Sequence, residues 1–178
     1  MMEDWVKQAL ALGFTAAAPV DPAKLTVRED VRAMCAADRC HAYNRNWTCP
    51  PACGTLEECG ARIARCTSGI LVQTMGTLED SFDYEGMMEL EQRHLDQFHK
   101  FADLVRKTDP DALCLGSGGC RICKTCAHPQ PCRFPSRACS SMEAYGLVVS
   151  EACAAGGLAY YYGAGTLAYT ACVLFRHE

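Results

Sequence analysis

A chain of 178 residues that is 49% hydrophobic and 21% charged has the apolar material for a packed core, which excludes both a disordered segment and a small disulfide-dependent scaffold. Fourteen cysteines in such a chain point to thiols or metal thiolates kept in a reducing compartment, with crosslinks the minor reading. A net charge of −4 removes the basic footprint expected of a nucleic-acid partner.

The chain opens MMEDWVKQAL, acidic where a secretory leader needs a basic start and then an apolar run, so a cytoplasmic location is expected. Residues 2–12 read as a short helix stopped by Gly13, followed by a strand over 14–20 that Pro19 closes. Asp21-Pro22 opens a turn, and 31–37 make one or two helical turns leading into a first cysteine group. Beyond Pro50-Pro51, residues 55–66 carry helix signals: Thr55 to cap, Glu57 and Glu58 in the first turn, Arg62 and Arg65 near the end. Residues 70–75 suit a buried strand. The longest helical signal covers 78–108, where Met87, Leu90, Phe98, Phe101 and Val105 recur on one face before Asp109-Pro110-Asp111 ends it. A strand over 112–115 runs into Ser117-Gly118-Gly119, and 140–153 read as helix.

Residues 152–175 carry no charge and are numerous enough to cross a bilayer. Gly156, Gly157, Gly163 and Gly165, with tyrosines scattered through the run, predict instead two buried strands. These are 158–162 and 167–175, joined by the turn Gly163-Ala164-Gly165-Thr166. The whole order predicts a single domain over residues 1–178 of the α/β class. It is a compact sandwich with a mixed sheet of about five strands, helices packed on the sheet and cysteine-rich loops between the elements.

The sharpest chemical signal is Cys120-x2-Cys123-x2-Cys126-x5-Cys132, with Cys139 further on. Two-residue spacers let a short loop wrap successive corners of a cubane, and three cysteines at this spacing are the pattern of [4Fe–4S] ligation. Between Cys120 and Cys139 stand Arg121, Lys124, Arg133 and Arg137 and no Asp or Glu, a setting that favours an anionic cluster. Zinc is the rival, but its structural sites usually pair two separated Cys-x2-Cys knuckles.

A second group, Cys35-x4-Cys40-x8-Cys49-x3-Cys53, sits in a loop stiffened by prolines and turned by asparagines. Cys35, Cys40 and Cys49 are the expected ligands there. Cys53 completes the set, or the fourth position is filled from elsewhere in the fold or by an external ligand. Trp47 is placed either to shield a cluster or to anchor the core. Cys59 and Cys66 share a helix face, and they, with Cys114, Cys153 and Cys172 in apolar runs, read as core thiols. His94 reads as a histidine at the core edge and His99 as solvent-facing.

Cys35-x4-Cys40-x2-Tyr43-x2-Asn46-Trp47-x-Cys49-Pro50-Pro51, with the later Cys120-x2-Cys123-x2-Cys126-x4-Pro131-Cys132-Arg133-x-Pro135, resembles a prokaryotic family of predicted metal-binding, cysteine-rich proteins. The resemblance implies a cytoplasmic metal or iron–sulfur protein, often of anaerobes, and leaves Cys53, Cys59 and Cys66 outside its pattern.

The residues and the resemblance together lead to an iron–sulfur protein with one or two [4Fe–4S] clusters, in electron transfer or a redox accessory role. Cys120, Cys123, Cys126 and Cys132 hold one cluster, and Cys35, Cys40 and Cys49 hold or contribute to a second. A redox partner is expected to dock near Arg121, Lys124 and Arg133. Two alternatives stay open: an enzyme that binds a small substrate at an open iron of the N-terminal cluster, and a zinc-stabilised binding module. No catalytic residue is assigned.

Overall fold

A computed structural model of the chain describes residues 1–176. Its centre is a pair of ten-residue strands, β2 (Ser68–Thr77) and β4 (Thr166–Phe175), antiparallel along their whole length from Ser68 opposite Phe175 to Thr77 opposite Thr166. Strand β1 (Ala16–Val20) pairs with the outer side of β2 and the short β3 (Leu113–Leu115) with β4, giving the order β1-β2-β4-β3.

Successive side chains of a strand face opposite ways, and here both faces are buried. Ile70 and Val72 of β2, with Ala171, Val173 and Phe175 of β4, enter one apolar cluster with Ala9, Phe14, Phe98, Phe101 and Val105. Leu71, Cys172 and Leu174 enter a second with Ile63, Met142 and Leu147. Helices α1 (Met2–Ala11) and α4 (Tyr84–Thr108) therefore cover the first face. The second is covered by α3 (Leu56–Ala64), α5 (Val149–Ala155) and a 3-10 turn at Glu143–Tyr145. A further helix, α2 (Glu29–Ala36), precedes the first cysteine loop. No helix among the described residues is long and apolar enough to cross a membrane.

The α/β class stands, with the sheet corrected from mixed and about five-stranded to antiparallel and four-stranded. Residues 158–162 form no strand. Gln73, fully buried on β2, takes this segment instead: its Nε2 donates to the Ala159 carbonyl at 2.8 Å and its Oε1 accepts from the Tyr162 hydroxyl at 2.6 Å. A buried amide needs those partners, and it holds the segment by side chain where a ladder was expected. The helix expected over 78–108 starts at Tyr84 because the Asp83 carboxylate caps it, accepting from the Gly86 amide at 2.9 Å. The helix expected over 140–153 is broken at Gly146, whose φ of 78° is left-handed.

The core-thiol reading is borne out: Cys59, Cys66, Cys114, Cys153 and Cys172 are all buried. His94 is only 1% exposed, hydrogen-bonded through Nδ1 to Thr74 at 2.8 Å, and burial lowers its pKa to about 4. His99 is half-buried, not solvent-facing.

Helix α3 opens with a reciprocal cap, Thr55 accepting from the Glu58 amide and the Glu58 carboxylate accepting from the Thr55 amide at 2.7 Å. Thr55→Ala is expected to lower unfolding free energy by about 1 kcal/mol, read as a shift of the urea midpoint at unchanged slope.

Candidate metal centre

The first cysteine loop runs from the end of α2 to the cap of α3. Cys35 is in the last turn of α2, half-buried, and Cys40 is exposed. Three non-glycine residues take left-handed conformations there, Asp38, His41 and Asn44, so the chain coils tightly. Asp38 stabilises this by accepting from the Tyr43 amide at 2.9 Å, and the Asn44 amide donates to the Pro50 carbonyl at 2.8 Å. Asn46 accepts from both the amide and the hydroxyl of Thr48, which sets the turn that brings buried Cys49 inward.

The second loop leaves β3 at Gly116 and returns at Met142. Its base is pinned by the Gly116 amide donating to Ser140 at 2.8 Å and the Met142 amide donating to Gly116 at 3.2 Å. Arginines strap it to α4: Arg121 to Glu91 at 2.9 Å, Arg137 to Asp103 at 3.0 Å, and Arg106 of α4 to the Cys139 sulfur at 3.2 Å. Exposed ion pairs add little stability, so the first two chiefly orient the loop. Arg133 closes a shorter circuit by donating to the Thr125 carbonyl at 3.0 Å.

The two loops meet. Trp47 of the first donates its indole N–H to the Gln130 carbonyl of the second at 2.7 Å and meets the His128 ring edge-on at 4.8 Å. Its place is thus in the wall of the C-terminal thiol site, where sequence had grouped it with the N-terminal one.

Two cavities result. Cys120, Cys123, Cys126 and Cys132 line a tight one of about 20 Å³, with Trp47, Phe134 and Arg133. Cys35, Cys40, Cys49 and again Cys120 line a larger one of about 350 Å³, where Gly118 and Gly119 present bare backbone and Arg121 and Glu143 supply charge. As the side chains stand, no group of three or more His, Cys, Asp or Glu among the described residues is placed to hold a metal ion. The sulfurs line cavities and do not converge on a point.

The electrostatics fit thiols that face one another. Burial pushes the Cys49 thiol up to about 11, and the neighbouring sulfurs of Cys40, Cys35 and Cys120 add to it. Burial also raises Cys120, against which the Ile122 and Cys139 amides donate to its sulfur, while Cys126 and Cys132 raise it further. Burial raises Cys35, opposed by the Arg32 guanidinium. Thiols in such groups resist ionising together unless a cation sits among them.

Cys53 lines neither cavity. Its sulfur donates to the Ala144 carbonyl at 3.8 Å, and its own carbonyl accepts from the Cys59 thiol at 4.0 Å. The Cys53–Cys59 interaction lowers the Cys59 thiol and raises Cys53, with Arg32 at 3.2 Å from the Cys59 sulfur adding to the lowering.

The family described as predicted metal-binding protein (DUF2284) matches residues 18–175, a span that contains both cysteine loops. The chain belongs to this family. No curated protein and no solved structure matches it. The DUF2284 description, predicted metal binding, accords with a chain whose two loops carry cavity-lining thiols. Sequence reasoning found all seven thiols that line the two cavities; of the polar wall residues, Tyr43 and Asn46 stood in the family motif without an assigned role, and Ser141 and Glu143 were given no site role, since no spacing rule marks a lone polar residue in a loop.

Proposed function

We propose that this chain is an iron–sulfur protein carrying one or two [4Fe–4S] clusters at its thiol-lined cavities and passing single electrons to and from a partner protein. The observation that supports this best is that two cysteine loops, separated by about a third of the chain, build adjacent thiol-lined spaces with Cys120 in the wall of both. Neighbouring sites suit stepwise electron transfer, and the larger has room, sulfur donors and glycine backbone for a cluster. When bound, such a cluster supplies reversible one-electron storage.

What the chain's own residues do follows from their placement. Buried Cys49 limits water at one side of the larger cavity, whereas exposed Cys40 leaves the other near the surface. The amides of Ile122 and Cys139 aimed at the Cys120 sulfur stabilise its thiolate and tune the potential of whatever it binds. Exposed Lys124 and Arg133 beside the smaller cavity suit a partner with an acidic face.

A zinc-stabilised module is the second reading, favoured by the small volume of the tighter cavity, which matches a single ion better than a cubane as it stands. Metal and sulfide analysis of protein made without oxygen separates the two. The cluster reading expects iron and acid-labile sulfide in equal amounts, with a visible absorption that bleaches on reduction.

A further inference from the structure

Cys120 opens the Cys-x2-Cys-x2-Cys run, and spacing alone would assign it to the same metal as Cys123, Cys126 and Cys132. The fold suggests otherwise. The N-terminal loop supplies three thiols to the larger cavity, Cys35, Cys40 and Cys49, and Cys53, the one remaining cysteine of that group, is turned away toward Ala144 and Cys59. The position that Cys53 leaves is taken from across the fold: Cys120 lines this cavity beside the bare backbone of Gly118 and Gly119. Cys120 also lines the smaller cavity, where Cys123, Cys126 and Cys132 stand around a space of only about 20 Å³.

We infer that Cys120 is the fourth ligand of the N-terminal site, so that Cys35, Cys40, Cys49 and Cys120 form one complete four-thiolate set across the two loops. Cys123, Cys126 and Cys132 then form a three-thiolate set beneath Trp47 and Phe134, and the coordination position left open lies at the C-terminal site. Exchange of one cysteine between two sites has a physical precedent in two-cluster ferredoxins, where one cysteine of each run ligates the other cluster. A cross-ligand also accounts for the placement of Gly118 and Gly119: they carry the chain past the mouth of the larger cavity with no side chain to obstruct it. Gly118 does so at a φ of 73°.

The inference rests on the cluster reading only for the identity of the metal, and two backgrounds of the full chain test it by metal count. In C123A/C126A/C132A only the N-terminal site remains, and adding Cys120→Ala is expected to remove the bound metal or leave a site depleted by about one iron in four. In C35A/C40A/C49A only the C-terminal site remains, and adding Cys120→Ala is expected to leave its metal unchanged. The reverse pattern overturns the assignment. Should a triple variant not fold, Cys120→Ser in the otherwise intact chain gives the second readout. The electron paramagnetic resonance signal that is absent from C40A/C49A is expected to shift while the other stays, and a shift of the other signal alone overturns the inference. Zinc in place of iron throughout would defeat the cluster reading alone, because dependence of bound metal on Cys120 is then read in the same backgrounds by zinc content.

Discussion

Replacing Cys40 and Cys49 together by alanine is expected to remove about half of the protein's iron and sulfide and to lower its melting temperature. The two positions complement each other as probes. Cys40 is exposed, so its thiol contributes almost nothing to packing, and any effect of its loss is an effect on ligation. Cys49 is buried, but the cavity beside it is already open, so alanine there enlarges a void without uncovering a new one. A metal bound only by the folded chain stabilises it by mass action, which is why the melting temperature should follow the metal. Cys53→Ser is the matched control: its sulfur faces Ala144 and Cys59, so iron is expected to stay at the wild-type level. Unchanged iron in the double variant would remove the N-terminal loop from the site.

The largest expected loss of stability comes from Phe101→Ala, about 3–5 kcal/mol. Phe101 is fully buried on the face of α4 that meets the sheet, with the rings of Trp5 and Phe14 each about 6.0 Å away and edge-on. Truncation leaves a void bounded by elements on three sides, α1, α4 and the sheet, none of which can collapse into it without losing other contacts. The same helix carries Glu91, Asp103 and Arg106, the three anchors of the second cysteine loop. Denaturant unfolding is expected to show the shift in midpoint, while metal content measured well below the transition stays normal. A loss below 1 kcal/mol would mean that α4 is not held through this ring.

How much could be read from the sequence depended on whether the determining interaction was local. Thr55 and Glu58 are a local pair, and α3 lies where they predict it. The two central strands were legible from their apolar runs, yet their partners were not. The pairing of β2 with β4 spans most of the chain, and the assumption of a mixed sheet came from alternating elements alone. The segment 158–162 misled because its tyrosines and apolar residues suit a strand, while the buried amide of Gln73, far back in sequence, satisfies its polar groups.

The site shows the same division. Spacing identified both groups of thiols, since ligand spacing within a loop is a local property. It could not tell that Cys53 turns into the core, or that Cys120 sits between the cavities, because both depend on how two distant loops dock through Trp47 and Gln130. The histidines divided similarly. His94 lies on the apolar stripe of α4 and was legible, whereas His99 lines a small cavity with residues of the second loop, which periodicity does not see.

The decisive measurement is the metal content of the full chain purified without oxygen. Iron and acid-labile sulfide are expected in a one-to-one ratio, at about four to eight irons per chain, with absorption that bleaches under dithionite. A colourless protein with stoichiometric zinc and no sulfide, or one whose thiols bind no metal, would contradict the iron–sulfur reading.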